Sequence, residues 1–191
     1  VAIQSFENRM RHRYNPRTMA FVAIVAIALL MITILFIPPY LGLSNDGSFD
    51  SVLLDCGLRR IEPDDVSVYF NYYETTYVIE PATGAMPGTT SPVLRVFIRI
   101  AVWIDTLFTG DYLFDVRFLA AIYMIIYLAV LYPFAAGVLG RLRYYSEGLV
   151  ITVLFVFVFA DVTLITRLAS LYTYPLELIA CLAMIDMSFI I

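Results

Sequence analysis

Lysine is absent from this chain of 191 residues, and all twelve of its basic residues are arginine. Histidine occurs once, as His12, and cysteine twice, as Cys56 and Cys181. So few soft ligands exclude a zinc-type spacing, and the two cysteines read as small apolar fillers rather than a disulfide pair. Charge of either sign is scarce: 15% of the residues are charged, where a soluble domain carries about 25%. No ordinary globular surface can be built from so few charges. The chain also has no glycine-rich phosphate loop, nucleophile elbow or metal-type histidine pair. It has no basic, aromatic-interleaved surface for nucleic acid, no internal repeat and no heptad.

What is present in excess is apolar. Hydrophobic residues make up 61% of the chain, and the mean hydropathy is +0.84, so most of the surface is expected to face lipid. The fold class that follows is all-α, a polytopic transmembrane helical protein. The chain begins with valine and stops inside the apolar run Met187 to Ile191. The expectation is therefore an N-terminal part of a longer protein.

Residues 1–18 form a basic tail holding Arg9, Arg11, Arg13 and Arg17. Residues 19–39 follow as the first span: Met19 to Ile37 carries no charge and ends at Pro38-Pro39, and about 20 apolar residues cross the hydrocarbon core. A secretory signal would have a shorter apolar region and small residues at a cleavage site. With four arginines in front, the N-terminus is expected on the cytoplasmic side. Residues 40–117 then form a long outer loop. Its first part, residues 40–91, contains eight acids and two bases, Arg59 and Arg60.

Within that loop a short helix is expected at about 47–56, where Phe49, Val52, Leu53 and Cys56 share one face and Gly57 supplies a left-handed stop. Asp46 or Ser44 is placed to cap it. A second helix is expected at about 93–109. Arg95, Arg99 and Thr106 fall on one stripe of it, which predicts an amphipathic helix lying in the membrane interface. If that helix does not cross, the second span, 118–139, delivers Arg141 and Arg143 to the cytoplasmic side, as basic residues prefer. Residues 140–147 form the inner loop, 148–166 the third span, 167–174 an outer connection, and 175–191 a fourth span opened by Pro175.

Acids are the candidate chemical groups. Asp46, with Asp50 about one turn later, stands at the membrane surface beside a helix start. Such carboxylates can act as general base for a hydroxyl nucleophile or share a divalent cation with a phosphate. They can equally cap the helix and offset its dipole. Asp161, Glu177 and Asp186 lie in or beside apolar spans, where acids usually face a protein interior or a wet cavity. A pair with Arg167 is the structural alternative for Asp161, and a bond to a neighbouring helix that for Asp186. Asp115 and Arg117 stand at the outer entry to the second span, as a local ion pair or with Arg117 reaching a lipid phosphate. The cluster Tyr69-Phe70-Asn71-Tyr72-Tyr73 suits either a sugar ring or the membrane interface.

Three stretches carry a resemblance: Ser44 to Val52, Phe114 to Leu119, and Asp161-Val162 through Ser170 to Glu177. With the basic tail, single span and acidic outer loop, they make the chain resemble the GT-C class of integral membrane glycosyltransferases. More narrowly it is similar to the WsfD-like bacterial hexose transferases of cell-envelope glycan assembly. The resemblance implies a polyprenyl-phosphate-linked sugar donor, a glycan or lipid acceptor outside the cytoplasm, and residence in a bacterial plasma membrane. The base would be Asp46, with Asp50 in reserve, while Asn45, Arg117, Asp161, Tyr172 and Glu177 would line the substrate site. No cofactor is implied beyond the option of a divalent cation. This chain departs from the pattern at Asp46-Gly47-Ser48, where an asparagine-glycine-acid order is common, and at Tyr174, where an acid often precedes the proline. The other functional classes are a transporter or flippase, for which neither paired repeats nor broken helices are visible in the sequence, and a non-catalytic assembly or sensory membrane protein.

Overall fold

In the computed structural model, residues 15–42, 49–61, 74–80, 90–142 and 144–190 are described. The first apolar run forms helix α1, Pro16–Phe36. Asn15 starts it by accepting a hydrogen bond from the Arg17 amide at 3.1 Å, and Pro16 occupies the first turn, where a missing amide hydrogen costs nothing. Pro38 pushes Ile37 into extended backbone and ends the helix. Ala20, Ala23, Ile27, Met31 and Leu35 form one buried stripe of α1, while Phe21, Val25 and Leu29 on other faces stay exposed. An apolar outer face on such a helix is what lipid contact requires.

Helix α2, Phe49–Cys56, is followed by Gly57 at φ 74. Phe49 and Leu53 are buried, and Val52 and Cys56 are half-buried, so the expected apolar face is the one that packs. The proposed caps Ser44 and Asp46, and with them Asn45, lie outside the described residues, as do the tyrosine cluster at 69–73 and Arg143.

The long loop corrects the all-α expectation. Strands β1 (Leu58–Arg60), β2 (Thr76–Ile79) and β3 (Leu113–Asp115) form an antiparallel sheet in the order β1-β2-β3. Tyr77 pairs directly with Phe114, and both are buried with Leu58. Cross-strand burial of this kind stabilises a sheet too short to be signalled by alternation alone. The end of the bundle that carries this loop is the outer end in the topology the basic tail predicts.

Helix α3, Pro92–Thr109, agrees in extent with the expected amphipathic helix and stops at Gly110, φ 70. Helix α4, Val116–Gly140, is capped by Asp115 and is the centre of the bundle. Its buried residues Leu119, Tyr123, Tyr127, Leu131, Ala135 and Leu139 recur at helical spacing. It packs against α1, α3 and the last helix, α7 (Tyr174–Ile190).

The expectation of one unbroken helix at 148–166 is corrected. The segment is two helices, α5 (Tyr145–Phe159) and α6 (Val162–Leu168), bent by 50° at Ala160-Asp161. Asp161 follows one helix and caps the next, accepting from the amides of Thr163 and Leu164. Helices α1 and α4 are each long and apolar enough to cross a membrane, and the bent pair, taken as one span, makes a third.

Candidate functional site

The candidate site lies at the end of the bundle where α1 ends, α4 begins and the sheet sits. Phe49, at the start of α2, packs its ring 4.3 Å from that of Tyr172 in the segment before α7. Tyr172 in turn lies 5.5 Å from Tyr174, and the Arg167 guanidinium covers the Tyr174 ring at 5.6 Å. Two segments far apart in sequence are thereby joined, the start of α2 and the segment that leads into α7.

Asp50 is paired through Oδ1 with Arg60 at 3.3 Å. The same guanidinium stands 3.6 Å from Glu74, which is more enclosed than Asp50. Burial pushes the Glu74 carboxyl above its ordinary range, and the neighbouring Arg60 opposes the shift. The cluster is one arginine between a sheltered carboxylate on the sheet side and an open carboxylate on α2.

Glu74 leads into a second group. The Val116 amide donates to the Thr75 carbonyl at 2.8 Å, setting the start of α4 beside β2. There Asp115 caps α4 by accepting from the Arg117 amide. It also holds the Arg117 side chain, with Nε to Oδ2 at 2.6 Å. Arg117 lies over the Tyr40 ring at 4.7 Å, so its guanidinium is shared between a carboxylate and an aromatic face.

Behind Asp115 is Asp105, on α3 and wholly enclosed. Its Oδ2 accepts from the Asp115 amide at 2.6 Å, while Oδ1 has no hydrogen-bond partner among the described residues. Burial is the main reason its carboxyl is raised. Asp55, by contrast, is lowered, first by hydrogen bonding from Thr90 and further by Arg95. That carboxylate ties α2 to α3, with Arg95 at 3.6 Å. The Cys56 thiol is pushed up to about 11 by burial and is unpaired with any other cysteine.

The structure brings together only some of the expected residues. Tyr172 meets Phe49, the residue before Asp50, while Asp50 itself pairs with Arg60. Glu177 is one turn into α7, exposed, and accepts from the Thr173 hydroxyl at 2.8 Å. Arg117 is held by Asp115 rather than left free. Asp161 does not join the group, and the expected pair with Arg167 gives way to the α6 cap and the Tyr174 stacking. It borders a cavity of about 520 Å³ shared with Leu30, Val156 and Phe157. Asn45 and Asp46 fall outside the described residues. Among the described residues no group of three His, Cys, Asp or Glu could hold a metal ion.

Arg60, Glu74, Tyr40 and Asp105 were not among the expected site residues. Asp105 had a signal: it continues the Leu94, Ile98, Ala101 spacing of the buried face. Arg60 and Glu74 had none, because a three-residue strand brings them together.

No curated protein and no solved structure matches this chain. A family model does, over residues 5–191. The spans, the apolar outer faces and that match agree: this is an integral membrane protein, and the chain belongs to the YfdI N-terminal transmembrane domain family.

Proposed function

We propose that this chain is the N-terminal membrane domain of a glycosyltransferase. It would move a sugar, a hexose by resemblance, from a polyprenyl-phosphate donor to an extracytoplasmic glycan or lipid acceptor. The observation that carries the reading is the Phe49–Tyr172 contact, which joins the helix bearing Asp50 and its Arg60 partner to the segment bearing Tyr172 and the exposed Tyr174. Carboxylates accept hydrogen bonds from sugar hydroxyls, and aromatic faces receive the apolar face of a sugar ring. In the reaction an acceptor hydroxyl oxygen bonds to the anomeric carbon as the bond from that carbon to the lipid phosphate oxygen breaks. The phosphate leaves with the electron pair, and the hydroxyl proton passes to the carboxylate acting as base. Asp46 or Asp50 takes that part, and Arg117 is the cationic group suited to a departing phosphate. Tyr172 and Glu177 would line the substrate site, as the resemblance implies. Asp161 takes no part in this geometry.

The test is sugar transfer by the full-length protein in lipid from polyprenyl-phosphate donors. Asp46→Asn with Asp50→Asn should abolish transfer while the protein remains folded. Undiminished transfer in the double variant would sink the assignment of the base.

The bend at Ala160-Asp161 favours a second reading, a transporter or flippase. Broken helices with an acid at the break are a feature of substrate pathways through membranes. Coupled solute uptake by liposomes, lost on Asp161→Asn, would support it over glycosyl transfer.

A further inference from the structure

Asp105 is the one wholly enclosed charged residue among the described residues. An enclosed carboxylate is costly unless a cation or several donors meet it. Among the described residues no cation does so. Its Oδ2 accepts from the Asp115 amide at 2.6 Å, and its Oδ1 has no hydrogen-bond partner. The charged groups that act on it, Asp115 and Asp111, have its own sign. For stability alone, an uncharged acceptor would hold the same amide at lower cost. Its place behind Asp115 is what gives the arrangement a use.

Asp115 performs two tasks from one backbone position. Its Oδ1 caps α4 by accepting from the Arg117 amide at 2.9 Å. Its Oδ2 holds the Arg117 side chain at Nε and at a terminal nitrogen. A guanidinium held by that edge keeps further N–H donors of its fork for a second acceptor, and the Arg117 side chain is 34% exposed. Tyr40 limits its remaining freedom, with the ring 4.7 Å from the guanidinium. The residue that aims Arg117 is itself fixed on both sides. The Asp115 amide meets Asp105, and the Val116 amide meets the Thr75 carbonyl at 2.8 Å. The turn between them lets the chain fold back: Gly110 ends α3 at φ 70, and Asp111 accepts from the Leu113 amide at 3.2 Å. A line of contacts therefore runs from the buried face of α3, through Asp115, to the guanidinium.

We propose that Asp105 is a positioning residue for Arg117: it fixes the Asp115 backbone, and through it the carboxylate that presents the guanidinium to a phosphate. This rests on the glycosyl-transfer reading, in which Arg117 meets the departing lipid phosphate. Asp105 acts on that phosphate only through Asp115. A displacement of about 1 Å in a positioned group can cost about 100-fold, so a small drift of the Asp115 backbone matters. Asp105→Asn keeps an oxygen for the amide and preserves the geometry. Asp105→Leu and Asp105→Ala remove the acceptor and release Asp115 on that side.

The experiment measures binding of farnesyl phosphate, a short polyprenyl phosphate, to the full-length protein in detergent by titration calorimetry, so no transfer is needed. Arg117→Gln should weaken binding about 10- to 100-fold, the loss of a charge-assisted hydrogen bond. Asp105→Leu and Asp105→Ala should each lose most of that factor, and Asp105→Asn should bind as the wild type does. Two truncations of different volume separate the missing acceptor from a packing fault, and an unfolding midpoint shows that each variant is folded. Added to Arg117→Gln, Asp105→Leu should weaken binding no further, an outcome that a merely structural role does not produce. No binding by the wild type, or unchanged binding in Arg117→Gln, would overturn the reading of Arg117 and this proposal with it. Weakened binding in Arg117→Gln beside wild-type affinity in both Asp105 truncations would overturn the proposal alone. Full additivity in the double variant, or no recovery in Asp105→Asn, would do the same.

Discussion

The hydroxyl of Tyr127 on α4 donates to the carbonyl of Phe159, the last residue of α5, at 3.1 Å. Tyr127 lies eleven residues into α4, about 16 Å along it from Val116. The bend between α5 and α6 therefore lies against a membrane-spanning stretch of α4, where irregular backbone persists only if its polar groups are satisfied by protein or a wet cavity. Tyr127 satisfies the last carbonyl of one helix, and Asp161 the first amides of the next. Tyr127→Phe should lower unfolding stability by about 1–3 kcal/mol, the cost of an enclosed acceptor left unpaired. Thermal unfolding followed by far-ultraviolet circular dichroism would read it, and an unchanged midpoint would mean that another donor reaches Phe159.

Asp105 separates charge from hydrogen bonding. Asp105→Asn keeps an oxygen for the Asp115 amide and removes a carboxylate whose ionisation burial disfavours. It should leave stability at neutral pH unchanged or higher. Asp105→Leu orphans the Asp115 amide and should cost about 1–3 kcal/mol. The pH dependence follows from the direction of the shift: a raised folded pKa means that stability is greatest below the ordinary aspartate range and declines as pH rises through the folded value. That decline should vanish in Asp105→Asn, as chemical denaturation in detergent at several pH values would show.

Asp55 has the opposite sign. Its folded pKa is lowered by Thr90 and then Arg95, so its contribution is present above the ordinary aspartate value of about 3.9 and is lost as pH falls through the folded one. Acid should loosen α2 from α3. Faster hydrogen exchange at the Thr90 amide, which donates to Asp55 at 3.0 Å, is the expected signature, and Asp55→Ala, which leaves no acceptor, should lack that protection at every pH.

Arg60 joins Asp50 to Glu74, so Arg60→Met leaves the sheltered Glu74 without its counter-charge. A loss of about 2 kcal/mol is expected. Adding Glu74→Gln should recover most of it, because the uncompensated charge goes with it. A double-mutant cycle showing independent, additive losses would mean that the pair at 3.6 Å contributes no coupling.

Phe49 is 3% exposed, and its ring is the contact between α2 and Tyr172. Phe49→Ala should cost about 3 kcal/mol and impair any activity that needs Asp50 beside Tyr172. Phe49→Leu should keep most of the stability. Proteolytic sensitivity near residue 57 in the two variants would check the difference.

The membrane class, apolar helices expected at 19–39, about 93–109 and 118–139 and found at 16–36, 92–109 and 116–140, and the buried face of α2 follow from the sequence by itself. They rest on local signals: uncharged runs, helical spacing and terminating proline or glycine. Those signals are repeated over many residues, so each helix is over-determined. Even so, the run at 148–166 reads as one helix, because nothing apolar marks a break; Asp161 opens the break by offering its carboxylate to the amides that follow. Tertiary structure alone decided the three-stranded sheet, the Arg60 cluster, the tie from Asp105 to Asp115 and the meeting of Phe49 with Tyr172. Each joins residues distant in sequence through one or two contacts, and a contact between distant positions leaves no periodicity for a single sequence to display.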